Sequence, residues 1–92
     1  MKQVRLRVAN AAGLHARPAA VFVAETSKFA SKIRVRNATT NSGWTDAKSI
    51  LSVLTLGVEP QHEIELSAEG PDEEQAAATL ANLITSDFAG KP

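Results

Sequence analysis

The sequence predicts an α+β fold: an open-faced β-sandwich of order βαββαβα, with three helices on one face of a four-stranded antiparallel sheet. Three observations lead there. Three segments alternate apolar and polar residues, so each reads as a strand with one face in the core and one in water. The stretches between them carry helix starts and stops. The outward charges also differ in sign from strand to strand. Because every alternating strand keeps a polar face, the helices can cover only the other face, giving two layers.

The first strand lies in "QVRLRVAN": Val4, Leu6 and Val8 point one way, Arg5 and Arg7 the other, and Gly13 ends the segment. A helix follows from Ala16 to Ser27. Pro18 suits its first turn, where a missing N–H is not needed. Ala16, Ala19, Ala20 and Val23 share one face of that helix, and their small size predicts close packing against the sheet. "SKIRVRN" alternates again, with Ile33 and Val35 inward and Arg34 and Arg36 outward. Asn41, Ser42 and Gly43 form a strong turn signal, and a short strand around Trp44 to Ala47 completes a hairpin. Trp44 is expected to pack within that hairpin.

"KSILSVLTLG" reads as a short helix, with Ser49 as its N-cap and Gly57 as its stop. Val53 and Leu56 are expected to share one side with Ile50, and Leu51 and Leu54 to lie toward the other. "HEIELSAE" is the third alternating segment, with Ile64, Leu66 and Ala68 inward and Glu63, Glu65 and Glu69 outward. His62, at its start, is expected to face solvent. "GPDEEQAAATLANLITSDF" is the last helix; Pro71 and three early acids suit its positive end, and Ala77, Leu80, Ala81 and Ile84 form its apolar side. Opposite charges are favoured across paired strands and like charges are not. The glutamate strand therefore belongs between the two arginine strands, giving the order 1-4-2-3.

Length and composition narrow the function. The 92 residues are expected to form one domain, 1–92. No run is long enough to span a membrane and no signal-peptide pattern opens the chain, so a soluble cytoplasmic monomer is expected. The absence of cysteine removes thiolate sites, and two distant histidines give little support to a metal site. Ten basic and ten acidic residues cancel, whereas a nucleic-acid binder usually shows a basic excess.

The segment with chemistry in it is "GLHARPAA", Gly13 to Ala20. It places an imidazole, His15, just before a helix N-terminus. Such a terminus has unpaired N–H groups and partial positive charge, which together stabilise an anion such as a phosphoryl group. A neutral imidazole there offers a nucleophilic nitrogen. Arg17 adds a guanidinium for phosphate oxygens. Histidine in this setting can accept and hold a phosphoryl group. No carboxylate or second histidine lies nearby in sequence to orient the ring.

"GLHARPAA" closely resembles the active-site motif of HPr, the histidine-containing phosphocarrier family of the bacterial sugar phosphotransferase system. "DAKSILSVLTLG" resembles the family's regulatory-serine segment, and "LSAEGPDEEQA" its last strand and helix. The resemblance spans nearly the whole chain. It implies that His15 is phosphorylated through Nδ1, that Arg17 assists transfer, and that Ser49 is the serine a dedicated kinase, paired with a phosphorylase, modifies in many Gram-positive relatives. It implies enzyme I, charged by phosphoenolpyruvate, as donor and IIA domains of sugar permeases as acceptors. It implies no cofactor, and a relay carrier rather than a stand-alone enzyme.

An apolar cluster beside the histidine suits a transient partner. Ile50, Leu51 and Leu54, with Ala16, Ala20 and Lys48, make up the expected docking surface. Two features depart from the family pattern. The hairpin "RNATTNSGWTDA" is longer than in many members, and Ala24 and Ser27 stand where relatives often carry lysines. Fewer lysines weaken steering toward an acidic partner. One rival is a regulatory relative acting through Ser49 and a transcriptional partner, which would not need the imidazole. A second is a small-molecule-binding regulatory domain, which would need a pocket that the sequence does not supply.

Overall fold

The computed structural model describes residues 1–9 and 13–86, apart from the Ala16 side chain. Its elements run β1 (Lys2–Arg7), α1 (Ala16–Thr26), β2 (Lys32–Asn37), β3 (Thr45–Asp46), α2 (Ile50–Thr55), β4 (Glu63–Glu69) and α3 (Glu73–Thr85). The sheet has the order β1-β4-β2-β3, with antiparallel pairs throughout. This is the order that the outward charges demand. Arg7 faces Glu63 and Arg5 faces Glu65 across the β1–β4 pair, and Arg36 faces Glu65 across β2–β4. The ion pairs form accordingly. Arg7 Nη2 lies 3.1 Å from Glu63 Oε2, and Arg36 Nη2 lies 2.6 Å from Glu65 Oε1. Arg5 reaches diagonally to Glu63, and its guanidinium holds that carboxyl below the usual carboxylate range.

The other face of the sheet is the core. Ile33, Val35, Ile64, Leu66 and Ala68 are buried there beneath the helices. α3 packs on β1 and β4, while α1 packs on α2 and α3. The inward sets expected for β2 and β4 are the observed ones.

The helix faces differ in detail from the expected ones. On α1 the buried stripe is Ala19, Phe22 and Thr26, with Val23 half-buried and Ala20 exposed. The expected face is right at Ala19 and Val23, which packs against the core, but it missed Phe22, the fully buried side chain that fills the space. Thr26 is tolerated inside because its hydroxyl donates to the Ala47 carbonyl at 2.7 Å. On α2, Val53 and Leu56 are buried, whereas Ile50, expected to share their side, is exposed, as its place in the expected docking surface requires. Ile50 opens the helix, one residue after its cap, and has no neighbouring turn above it. α3 begins two residues beyond Pro71, and Ala76 and Leu83 join Ala77, Leu80 and Ile84 in the core while Ala81 is half-buried. The end of the expected last helix, Asp87 and Phe88, lies outside the described residues. Trp44 is 41% exposed rather than packed away. Its ring lies under the Arg36 guanidinium, 5.8 Å from the centroid, a cation–π arrangement on the polar face.

Asp72, at the N-cap of α3, does not cap its own helix. Its carboxylate reaches across to the loop after α1. One oxygen accepts from the Ser31 hydroxyl and the Ser31 N–H, and the other from the Ala30 N–H. These bonds, the Ser31 hydroxyl foremost, hold the Asp72 carboxyl below its ordinary range. A carboxyl depressed in the folded state stabilises the fold above its unfolded pKa and loses that effect as pH falls through the folded value. Asp72→Ala should therefore unfold at lower denaturant than wild type at neutral pH. The gap should close as the pH drops below the carboxylate range. Parallel denaturation curves from neutral to acidic pH check this; a gap that persists in acid would assign the loss to packing.

Candidate functional site

The site is built where the chain enters α1. His15 is the N-cap itself, with extended backbone (φ −116°, ψ 156°) and no side-chain capping bond. A capping side chain ordinarily accepts from the N–H of the second or third helical residue. Here the third is Pro18, which has none. His15 thus leaves the amide end of α1 without a side-chain cap, and its imidazole bonds elsewhere.

The approach to His15 is held by the turn before β4. The Leu14 N–H donates to the Val58 carbonyl at 3.0 Å, and Leu14 itself is fully buried. Gly13 lies flat against the same turn in the left-handed region (φ +63°), and a Cβ there would sit 2.2 Å from the Val58 oxygen. The turn is tied in its own right to the end of β1. Val8 N–H donates to the His62 carbonyl at 2.8 Å, and Gln61 N–H to the Val8 carbonyl at 2.7 Å.

This turn brings to the histidine a partner that the local sequence does not contain. His15 Nε2 lies 3.1 Å from Glu59 Oε2, across 44 residues of chain. Both side chains are open to solvent, 40% and 59% exposed. Local inspection of "GLHARPAA" could not find Glu59. The signal for it is topological: if β4 pairs antiparallel with β1, the residues before β4 lie beside those after β1. His62 is not simply solvent-facing as expected. It is half-buried, and its Nδ1 accepts from the Glu59 N–H at 3.1 Å.

The other expected residues fall as follows. Arg17, in the first turn of α1, is exposed and has no hydrogen-bond or ion-pair partner among the described residues. Ala16 opens α1, and its side chain lies outside the described set; Ala20 is exposed. Ser49 caps α2, its hydroxyl accepting from the Ser52 N–H at 3.4 Å. Ile50, Leu51 and Leu54 are all exposed, Leu51 by 73%. They stand on the helix that runs directly into Gly57, Val58 and Glu59, and hence toward His15. The Lys48 ammonium is engaged internally, donating to the Phe29 carbonyl at 2.7 Å.

Chemically, no described residue bonds Nδ1 of His15 at this helix N-terminus, and the Arg17 guanidinium, without a partner among the described residues, stands two residues on. Residues 2–86 match the family model described as the PTS HPr component phosphorylation site. The chain belongs to the HPr family of phosphotransferase-system phosphocarriers. It is 41% identical to the phosphocarrier protein HPr of Treponema pallidum over 83 residues, 90% of this chain and 91% of that protein. It is 45% identical to a multiphosphoryl transfer protein of Vibrio cholerae over 80 residues, 87% of this chain. The matched segment there makes up 20% of the longer protein, and 16% of a similarly named Haemophilus influenzae relative. Among solved structures, it is similar to HPr-C-His from Thermoanaerobacter tengcongensis, with a TM-score of 0.91, 44% identity and full coverage of both chains.

Gly13 and Gly57 separate backbone strain from the close approach. Both have positive φ, but only Gly13 abuts another chain segment; around Gly57 a Cβ would meet nothing within 4 Å. Gly57→Ala should cost about 1–2 kcal/mol, the left-handed penalty alone. Gly13→Ala should cost more, because the Val58 carbonyl must also move. It should disturb the His15–Glu59 contact as well. Unfolding midpoints of the two variants check the order; equal losses would show that the contact of Gly13 with the turn carries no energy.

Proposed function

We propose that His15 accepts a phosphoryl group on Nδ1 from phosphorylated enzyme I and passes it to IIA domains of sugar permeases. The observation that supports this most is the open Nδ1 beside the uncapped amide end of α1. The first N–H groups of α1 and the helix dipole favour a phosphoryl anion at that point. The Arg17 guanidinium is free to follow phosphate oxygens during transfer. The chain acts as a covalent carrier between partners and not as a stand-alone enzyme, in the cytoplasm and without a cofactor. No helix among the described residues is long and apolar enough to cross a membrane. The docking surface is the exposed side of α2, Ile50, Leu51 and Leu54, with Ala16, Ala20 and Lys48 around it. Apolar side chains such as Ile50, Leu51 and Leu54, exposed on a helix packed against α1, suit short-lived protein contacts.

Incubation with phosphoenolpyruvate and an enzyme I should add one phosphoryl group, labile in acid and stable in base. Mass analysis reads the addition directly. His15→Ala should abolish it, and acid-labile labelling that persists in His15→Ala would refute the assignment.

Ser49 is proposed as a regulatory phosphorylation site, the target of a serine kinase and phosphorylase. A dianion at the N-cap of α2 suits the helix dipole, so the fold should accept it. Its cost falls on docking. A charge beside Ile50 and Leu51 raises the penalty for burying them against a partner and repels an acidic contact surface. Ser49→Asp keeps a good N-cap, so its unfolding midpoint should match wild type. Its phosphorylation by enzyme I should be slower, most clearly at low ionic strength, where repulsion is least screened. Equal rates for the two proteins under those conditions would leave Ser49 as a cap only.

A further inference from the structure

A buried amide and a second histidine stand behind the phosphoacceptor, and nothing in the phosphoryl chemistry so far makes use of them. Asn37, the last residue of β2, is fully buried. Its Oδ1 accepts from the Thr39 and Thr40 N–H groups at 3.1 and 3.3 Å. Its Nδ2 lies 3.2 Å from the Leu56 carbonyl and 3.1 Å from His62 Nδ1. Only one orientation of the amide gives both N–H groups an acceptor and the Leu56 carbonyl a donor. Asn37 is therefore the donor to His62.

His62 Nδ1 also receives the Glu59 backbone N–H, which can only donate. That nitrogen carries no proton. The His62 backbone N–H in turn donates to the Glu59 carbonyl at 3.1 Å, closing the turn on itself. Glu59 is thus pinned through its backbone by His62, and its carboxylate meets His15 Nε2. A carboxylate beside an imidazole nitrogen selects the tautomer with the proton on that nitrogen.

We propose that Glu59, held by His62 and Asn37, is a positioning residue for phosphoryl transfer: it fixes His15 as the Nε2–H tautomer and presents Nδ1 with its lone pair. The proposal rests on the reading that His15 carries the phosphoryl group on Nδ1. In the step, the Nδ1 lone pair forms the N–P bond while the donor's bond to phosphorus breaks and its electron pair returns to the donor. The proton stays on Nε2. The ring gains positive charge, which the Glu59 carboxylate offsets. Onward transfer reverses this: the acceptor bonds to phosphorus, the pair returns to Nδ1, and the same proton remains on Nε2. No proton has to enter or leave.

Exposed ion pairs add little to stability, so the effect of Glu59 falls on the ring and not on the fold. The test uses the full chain, phosphorylated enzyme I as donor, and four variants. Glu59→Ala removes the acceptor, and Glu59→Gln keeps an oxygen at the same reach. His62→Leu removes the support, and His62→Asn offers an oxygen near the position of Nδ1. In Glu59→Ala the transfer rate constant should fall of the order of tenfold, as when partners that orient a metal-bound imidazole are removed. The donor KM and the unfolding midpoint should stay unchanged. Histidine ¹⁵N shifts of the unphosphorylated protein should move from the Nε2–H pattern toward a mixture of tautomers. Glu59→Gln should recover most of the rate, and His62→Asn more of it than His62→Leu.

A wild-type rate and tautomer in Glu59→Ala would overturn the proposal whatever the His62 variants do. A raised donor KM with an unchanged rate constant would do so as well, since Glu59 would then act in docking. If the wild-type protein itself accepts no phosphoryl group, the carrier reading fails. The ¹⁵N shifts of the unphosphorylated proteins still decide the tautomer claim separately.

Discussion

The double pairing of β4, to β1 along one edge and to β2 along the other, is the constraint from which the site follows. Ile64 and Leu66 anchor the strand in the core, so it cannot slip by one residue without turning its buried face outward. With β4 fixed beside β1, the turn at residues 58–62 is fixed beside the end of β1. The Val58 carbonyl then takes the Leu14 N–H, Gly13 lies against it, and the chain is aimed into α1 with His15 at the cap. The position of one imidazole is thus set by a strand whose sequence begins almost fifty residues later.

Folding and function draw on different residues. The core is apolar and closed, built around Phe22, Leu14, Ile64, Leu66 and Leu80. The groups at the site are exposed or half-exposed: His15, Arg17 and Glu59. Ion pairs between such groups contribute little to stability; in the proposed transfer their charges act on the phosphoryl group instead. A carrier has to meet at least two partners. A reacting residue on a rigid rim, with exposed leucines on the neighbouring helix, allows that without rearrangement of the core.

The strands could be read from the sequence because alternation is a strict signal with a period of two, and the charge signs then ordered them. Ser49 and Gly57 were legible because caps and stops have local causes. Helix faces were harder. With Ala16, Ala19 and Ala20 all apolar, the periodic stripe of α1 is blurred, and only packing shows that Phe22 defines it. Ile50 was read as part of the exposed docking surface, and its place at the first turn of a six-residue helix does leave it uncovered. His15 and Arg17 stand out in one motif. Glu59 and His62 do not, since their role arises from the pairing of β1 with β4 and from the buried Asn37. Asp72 is a similar case: it reads as one of three early acids at the positive end of the last helix, yet its carboxylate serves the loop after α1 because Ala30 and Ser31 offer three donors there.

The central claim is that the fold leaves Nδ1 of His15, and not Nε2, to take the phosphoryl group. The most direct measurement is a ¹⁵N and ³¹P NMR spectrum of the phosphorylated protein with labelled histidine. The account predicts phosphorus–nitrogen coupling at Nδ1 of His15, with the proton retained on Nε2. Coupling at Nε2, or at His62, would contradict it.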